Sequence, residues 1–208
     1  VGIGLNYRAH ALEAKMPIPR EPVVFMKATT CVSGPNDPIL MPIDGSKLDW
    51  EVELGLVIGS EARQVNEAKA LDHVAGYCVF HDVSERAFQL ERGGQWDKGK
   101  SCDSFGPIGP WLVTKDEVAD PQQLRLWLEV NGERMQDSST ADMIFSCAEI
   151  VSYVSRFMTL LPGDVICTGT PQGVGIGRGR FLKIGDRVRL GVDGLGEQEQ
   201  TVVATMPR

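Results

Sequence analysis

The stretch "DWEVELGLVI", residues 49–58, decides how the rest of the chain is read. In a strand, side chains alternate between faces with a period of two. Val52, Leu54, Leu56 and Ile58 then form one continuous apolar face, which belongs in a core. Glu51 and Glu53 stand side by side on the opposite face, with no other charge between Trp50 and Ile58. At such positions two carboxylates lie roughly 6 to 7 Å apart and repel by about 2 to 3 kcal/mol at an effective dielectric of about 20. A proton on one of them, arginines covering them, or a hard cation held between them would relieve that repulsion. A solvated sheet face is the plainer alternative.

The 208 residues are expected to form one domain, 1–208, large enough to bury a core without metal or disulfide staples, so that a bound metal would serve chemistry. With 21 basic against 28 acidic residues and a net charge of -7, the chain offers no basic surface for nucleic acid. No stretch approaches the roughly 18 apolar residues of a membrane span. Small molecules or a second copy are the expected partners. The five cysteines, Cys31, Cys78, Cys102, Cys147 and Cys167, are scattered and never in CxxC spacing. They read as reduced and mostly buried, not as a zinc site or a disulfide framework. With no signal or transit segment recognised, the cytoplasm is the default location. The chain opens on "VGIGLNY" without Met, and a missing N-terminal segment is expected.

Working outward, "VGIGLNY" reads as a strand, "RAHALEAK" as a short helix and "MPIPREP" as a loop. "VVFMKATTCV" is expected to be a strand over 23–32, leading into the "SGPNDP" turn. "NEAKALDHVA" has helical spacing at Ala68, Leu71 and Val74/Ala75, and "GYCVFHD" returns as a strand ending in acid. The stretch 84–110 is polar, glycine-rich and long for a connector, a feature often linked to function. Asn131-Gly132 marks a hairpin within "LRLWLEVNGERMQ". Ser146 and Glu149 fit a capping box for a helix with Ile150, Val151, Val154, Phe157 and Met158 on one face. "VICTGTP" is a short strand entering the glycine-rich loop 169–179, and Asp193-Gly194 centres a last hairpin. Many short strands, few helices and no βαβ repeat predict a β-rich α+β domain.

Several residues outside the opening stretch could carry chemistry. Asp82 closes the apolar run "YCVF", as a ligand at the mouth of a sheet would, and three carboxylates can hold Mg²⁺ or Mn²⁺ with positions left for substrate. His81 would face away from it as a structural neighbour. Arg86 and Gln89, at i and i+3, share one helical face. Lys98 and Lys100 bracket Gly99, where a backbone can approach a ligand closely. Together these groups point to an anionic, metal-chelating substrate. His10 and Glu13 are also i, i+3; a carboxylate there can orient an imidazole as a general base toward water. The loop "TGTPQGVGIGRGR" lacks the GxGxxG and GK[ST] signatures of phosphate loops. Its backbone N–H groups and the Thr170 hydroxyl are expected to meet a carboxylate.

In order along the chain, "GLNYRAHALE", "EPVVFMK", "DWEVELGLVIG", "HDVSERAFQ", "GKSCDSFGPIGPW", "MIFS" and "PGDVICTGTPQGVG" resemble the fumarylacetoacetate hydrolase family over essentially the whole chain. The resemblance implies a mixed β-sandwich roll with a few short helices, and Mg²⁺ or Mn²⁺ on Glu51, Glu53 and Asp82. It also implies contact of Arg86, Gln89, Lys100 and Thr170 with the oxo-acid end of a substrate, with Lys27 close by. His10 and Glu13 match the water-activating pair, and Ala11 to Arg20 a segment that tends to act as a lid. "GQWDKGKSCDSFGPIGPWLVTKDEV" and "VDGLGEQ" look most like bacterial members that hydrolyse 2,4-diketo-3-deoxy sugar acids.

The expected activity is therefore metal-dependent hydrolysis of a C–C bond in a 2,4-dioxo acid, an acylpyruvate or a diketo-deoxy sugar acid, giving pyruvate and a carboxylic acid. His10 and Glu13 would activate water, and Lys100 would stabilise charge or protonate C3. Decarboxylation of oxaloacetate or dehydration of a 2-keto-3-deoxy sugar acid would use the same metal and oxo-acid clamp. A non-catalytic metal-binding or assembly protein is the reading from another class. A homodimer is expected, because short hairpins leave strand edges to cover and the resembled family is commonly dimeric.

Overall fold

The computed structural model describes residues 1–205. Two sheets carry the fold. One is six-stranded, in the spatial order Val113–Thr114, Val74–His81, Val52–Ile58, Val165–Cys167, Gly2–Gly4 and Val23–Phe25. The other is five-stranded, in the order Glu133–Ser139, Arg125–Val130, Arg187–Val192, Gly196–Ala204 and Ile39–Met41. Most neighbours are antiparallel; Gly2–Gly4 beside Val165–Cys167 and Gly196–Ala204 beside Ile39–Met41 are parallel. The result is the strand-rich α+β architecture that the alternation in the sequence predicts.

The apolar face of Val52–Ile58 supplies the core as expected: Val52, Leu54, Leu56 and Ile58 are buried. They belong to one cluster with Leu126, Leu128, Val188 and Leu190 of the second sheet and Ile150, Val151 and Val154 of the helix Cys147–Val154. That helix starts at the predicted capping box, in which the Ser146 hydroxyl accepts from the Glu149 N–H and the Glu149 carboxylate accepts from the Ser146 N–H. It ends earlier than its apolar spacing implies. Met158 packs partly on the core, but Phe157 lies outside the helix, exposed, with its ring 5.0 Å from that of Tyr153. The Asn131-Gly132 turn has φ of 53° and 82°, the left-handed pair that a two-residue hairpin connection requires.

Two segments differ from their local reading, each because a distant partner claims the backbone. "VVFMKATTCV" stays in the sheet only through Phe25. The N–H of Met26 donates to Asp97 (3.2 Å) and that of Ala28 to the Ser101 hydroxyl (2.9 Å), so the chain leaves the ladder and makes a 3₁₀ turn at Thr29–Cys31. The helical spacing of "NEAKALDHVA" is used only for Glu67–Ala70 and a 3₁₀ turn, because Val74 already pairs with Ile58. The connector 84–110 contains two short helices, Arg86–Leu90 and Asp97–Lys100. Gly99 lets them pack: a Cβ there would lie 2.5 Å from the Glu85 carbonyl oxygen and 2.6 Å from the Gln89 Cβ. That close approach is to protein and not to a ligand.

All five cysteines are free; Cys102 is half-buried and the other four are buried. Burial pushes the thiols of Cys78 and Cys147 up to about 12 and that of Cys102 up to about 11. At pH 8 the native protein should therefore react slowly with a thiol-specific disulfide reagent, and all five thiols should react at once in guanidinium. Rapid stoichiometric labelling of the native protein would contradict this packing.

Candidate active site

Asp49, Glu51 and Glu53 alternate along one extended segment, and antiparallel pairing of Val52 with His81 brings Asp82 to the same end. The Asp82 N–H donates to the Glu51 carbonyl oxygen at 3.0 Å, which fixes that juxtaposition in the backbone. Glu51, Glu53 and Asp82 each present a carboxylate oxygen, all within 4.8 Å of one another, and all three residues are buried. Three hard oxygen donors at that spacing fit a divalent cation such as Mg²⁺ or Mn²⁺. His81 faces the other way, its Nδ1 2.9 Å from Gln200 Oε1. Burial holds its imidazole down to about 4, so it is neutral.

Three cations enclose the carboxylates. Arg86 donates to Asp49 (2.8 Å), Glu51 (2.5 Å) and Gln89 (2.9 Å). The Lys100 ammonium sits between Glu51 (2.7 Å) and Asp82 (2.6 Å), and Lys27 donates to Asp82 (2.5 Å) and to the Lys100 carbonyl. Burial would raise the Glu51 carboxyl, but Lys100 and Arg86 outweigh it and hold the group well below the usual carboxylate range. Glu53 is different. Its bond is to the Gly169 N–H at 2.8 Å, while burial, then Asp82 and Glu51, push its carboxyl well up. Covering cations, one of the remedies the sequence left open, are therefore at work at Glu51 and Asp82, while the surroundings of Glu53 favour its neutral form. Asp49, Glu51, Glu53 and Asp82 against Lys27, Arg86 and Lys100 leave one negative charge when all are ionised. A divalent cation would reverse its sign and favour an anionic ligand.

His10 and Glu13 come from the helix Arg8–Glu13, whose single turn sets His10 Nδ1 3.3 Å from Glu13 Oε2. The Gly173 N–H donates to both Glu13 oxygens, at 3.0 and 3.1 Å. Burial would raise Glu13, but the bonds from His10 and Gly173 hold it below its ordinary value. An ionised carboxylate can only accept, so Nδ1 carries the proton and Nε2 is left as the basic ring nitrogen.

The glycine-rich loop serves the protein's own carboxylates. Besides Glu53 and Glu13, it takes Asp49, which accepts from the N–H groups of Gly175 (2.6 Å) and Ile176 (2.9 Å). The backbone donors thus meet carboxylates as expected, and those carboxylates are the protein's own. The Thr170 hydroxyl donates to the Val52 carbonyl (3.0 Å) and accepts from Gln136 Nε2 (2.9 Å), so it meets a ligand only as an acceptor. Lys98 turns away to the Arg92 carbonyl.

A cavity of about 400 Å³ draws these groups together, with His10, Glu13 and Thr170 in its lining. Glu51, Glu53, Arg86, Gln89 and Lys100 also line it. Asp82 and Lys27 lie behind that lining, tied to Lys100. Asp49 and Gln136 escaped the reading of the sequence. Asp49 was legible, two residues before Glu51 in the same alternation; Gln136 carries no local signal, since its partners Val52 and Thr170 are remote in sequence.

The Fumarylacetoacetate (FAA) hydrolase C-terminal family matches residues 1–203. A Burkholderia cenocepacia protein carrying only a provisional hydrolase name is 62% identical over 204 residues, 97% of this chain and 72% of the relative. Among solved structures, 5-carboxymethyl-2-hydroxymuconate delta-isomerase from Mycobacterium smegmatis is 41% identical with a TM-score of 0.88, covering 99% of this chain and 78% of that one. Fumarylpyruvate hydrolase from Pseudomonas aeruginosa, in complex with Mn²⁺ and pyruvate, is 36% identical with a TM-score of 0.89, covering 98% and 88%.

The raised carboxyl of Glu53 would make binding of a divalent cation there pH-dependent. A proton must leave Glu53 before it can ligate, so Mn²⁺ affinity should rise with pH and binding should release protons. Calorimetry in buffers of different ionisation enthalpy should show that release, and Glu53→Gln should abolish it and weaken binding. Affinity independent of pH, with no proton release on binding, would remove Glu53 from the donor set.

Proposed function

The chain belongs to the fumarylacetoacetate hydrolase family, and from that premise we propose that it is a divalent-metal-dependent hydrolase of 2,4-dioxo acids. It would cleave the C3–C4 bond of an acylpyruvate or a diketo-deoxy sugar acid with one water, releasing pyruvate and the carboxylic acid of the acyl side. The observation that carries this reading is the His10–Glu13 pair in the same cavity as Glu51, Glu53, Arg86 and Lys100. A base for water thus faces a clamp for an anion.

Glu51, Glu53 and Asp82 would hold Mg²⁺ or Mn²⁺, which would supply Lewis-acid charge for the oxo-acid end of the substrate. Glu13, fixed by Gly173, keeps the His10 ring oriented, and His10 Nε2 takes a proton from water as the oxygen bonds to C4. As the C3–C4 bond breaks, the electron pair moves to the pyruvate side, where the buried Lys100 ammonium stabilises the growing negative charge. A proton returned to C3 completes pyruvate.

Loss of the 2,4-dioxo enol absorbance, with pyruvate and CO₂ measured in parallel, tests the reaction. His10→Ala should lower kcat on an acylpyruvate by roughly 10²- to 10⁴-fold while retaining metal affinity. Decarboxylation of oxaloacetate needs no attacking water and should persist if present. Near wild-type rates for His10→Ala on both substrates would end the assignment.

We propose also that the protein works as a cytoplasmic homodimer. Scattered free thiols fit a reducing compartment. Leu12, Ile18, Ile43 and Phe157 are large apolar side chains each more than half exposed, the kind of surface that a second copy covers. Light scattering of the full-length protein at micromolar concentration should give twice the chain mass; a monomer would contradict it.

A further inference from the structure

The strand Val52–Ile58 is paired along the whole of one edge and only part of the other. On one side Val74–His81 accompanies it from Ile58 to Val52; on the other, Val165–Cys167 reaches only Val57, Leu56 and Gly55. Among the described residues no strand continues that second ladder past Gly55, yet buried backbone polar groups must still be paired. Side chains take over. The Leu54 carbonyl accepts from the Thr168 N–H (3.1 Å) and hydroxyl (2.9 Å). The N–H and carbonyl of Val52, the residue between Glu51 and Glu53, are taken by Gln136 and Thr170.

Gln136 is buried on the strand Glu133–Ser139 of the other sheet, and it closes a ring with these groups. Its Oε1 accepts from the Val52 N–H (2.9 Å), and its Nε2 donates to the Thr170 hydroxyl oxygen (2.9 Å) and to the Pro171 carbonyl (2.9 Å). The Thr170 hydroxyl then donates to the Val52 carbonyl at 3.0 Å. Backbone fixes which end of the amide is which, since the Val52 N–H can only donate and the Pro171 carbonyl can only accept. A second route also leads to Glu53, because Gly169, next to Thr170, gives its N–H to that carboxylate at 2.8 Å. The loop has little room to slide: the Met135 carbonyl accepts from Arg178 (2.8 Å), and a Cβ on Gly173 would come within 2.1 Å of that oxygen. Gln136 itself is not among the described residues that line the cavity.

We propose that Gln136 is a positioning residue for the cation centre: by fixing the Val52 peptide it sets the placement of the Glu51 and Glu53 carboxylates relative to one another. The proposal rests on reading Glu51, Glu53 and Asp82 as a divalent-cation site, and it adds the group that holds two of those donors in register. Mutual repulsion of the carboxylates favours spreading them, and a Val52 peptide free to tilt would yield to it. Loss of the amide also leaves the Val52 N–H and the Pro171 carbonyl unpaired in a buried place, so the strand and the loop must shift to find partners.

The test is a calorimetric titration of the full-length protein with Mn²⁺, beside thermal melts without metal. Gln136→Met keeps the bulk of the side chain and removes the amide; it should bind Mn²⁺ roughly 10- to 100-fold more weakly, the loss expected when a group that orients a ligand is removed. Thr170→Val opens the same ring at another bond and should also weaken binding. Because both act through one peptide, the double variant should lie within about twofold of the weaker single variant, not at the product of the two losses. Ile150→Val, in the core helix and outside the ring, should lower the melting temperature and leave Mn²⁺ affinity within about twofold. Should Gln136→Met fail to fold, Thr170→Val alone decides. Wild-type affinity in either folded variant, multiplied losses in the double variant, or an equal loss in Ile150→Val would overturn the proposal. If the wild-type protein binds no Mn²⁺, the cation reading falls and this proposal with it; Mn²⁺ bound equally by wild type and variants sinks only the role of Gln136.

Discussion

Mutual repulsion of buried carboxylates is the constraint to which the rest of the site answers. With oxygens of Glu51, Glu53 and Asp82 within 4.8 Å of one another, each ionised pair repels by about 3 to 4 kcal/mol at an effective dielectric of about 20. That is comparable with the whole stability of a marginal domain. The core beneath must therefore supply stability independently, and the alternation of Val52, Leu54, Leu56 and Ile58 does so on the face turned away from the acids. One strand thus serves two ends, holding the two sheets together on one side and opposing charges on the other.

The remaining elements are placed so as to make that cluster tolerable. Two short helices in the 84–110 connector deliver Arg86 and Lys100, and departure of the chain from the sheet after Phe25 turns Lys27 onto Asp82. The glycine-rich loop contributes N–H donors at Gly169, Gly173 and Gly175 to Glu53, Glu13 and Asp49 in turn. Gly173 shows why the loop is glycine-rich: it has φ 98°, and a Cβ there would lie 2.1 Å from the Met135 carbonyl oxygen. Compensation is incomplete at Glu53, which has no direct cation partner among the described residues. That residual imbalance is where a divalent cation would fit, and a bound cation would turn the local charge in favour of an anion.

Wherever function depends on short-range periodicity, the sequence displays it. Glu51 and Glu53 at i, i+2, His10 and Glu13 at i, i+3, and Arg86 and Gln89 at i, i+3 meet as their spacing demands, because a strand or a single helical turn fixes those contacts without help from the fold. The Ser146 capping box and the Asn131-Gly132 turn are legible for the same reason. Long-range partners are not. Nothing local says that Gln136 holds Thr170, that the loop N–H groups are used by the protein's own acids, or that Asp97 and Ser101 end the strand at Phe25. Phe157 illustrates the converse: helical spacing continued past the point where the helix stops, and the ring is left in solvent.

The central claim is that the carboxylate face of residues 49–53, closed by Asp82, is a divalent-cation centre. Anomalous diffraction from crystals of the protein grown with Mn²⁺ tests it directly. The account predicts one strong peak about 2.0 to 2.3 Å from a carboxylate oxygen of each of Glu51, Glu53 and Asp82, the distances that such hard ligands adopt. The Lys100 ammonium should remain beside the cluster. A peak elsewhere, or none at saturating Mn²⁺, would contradict it.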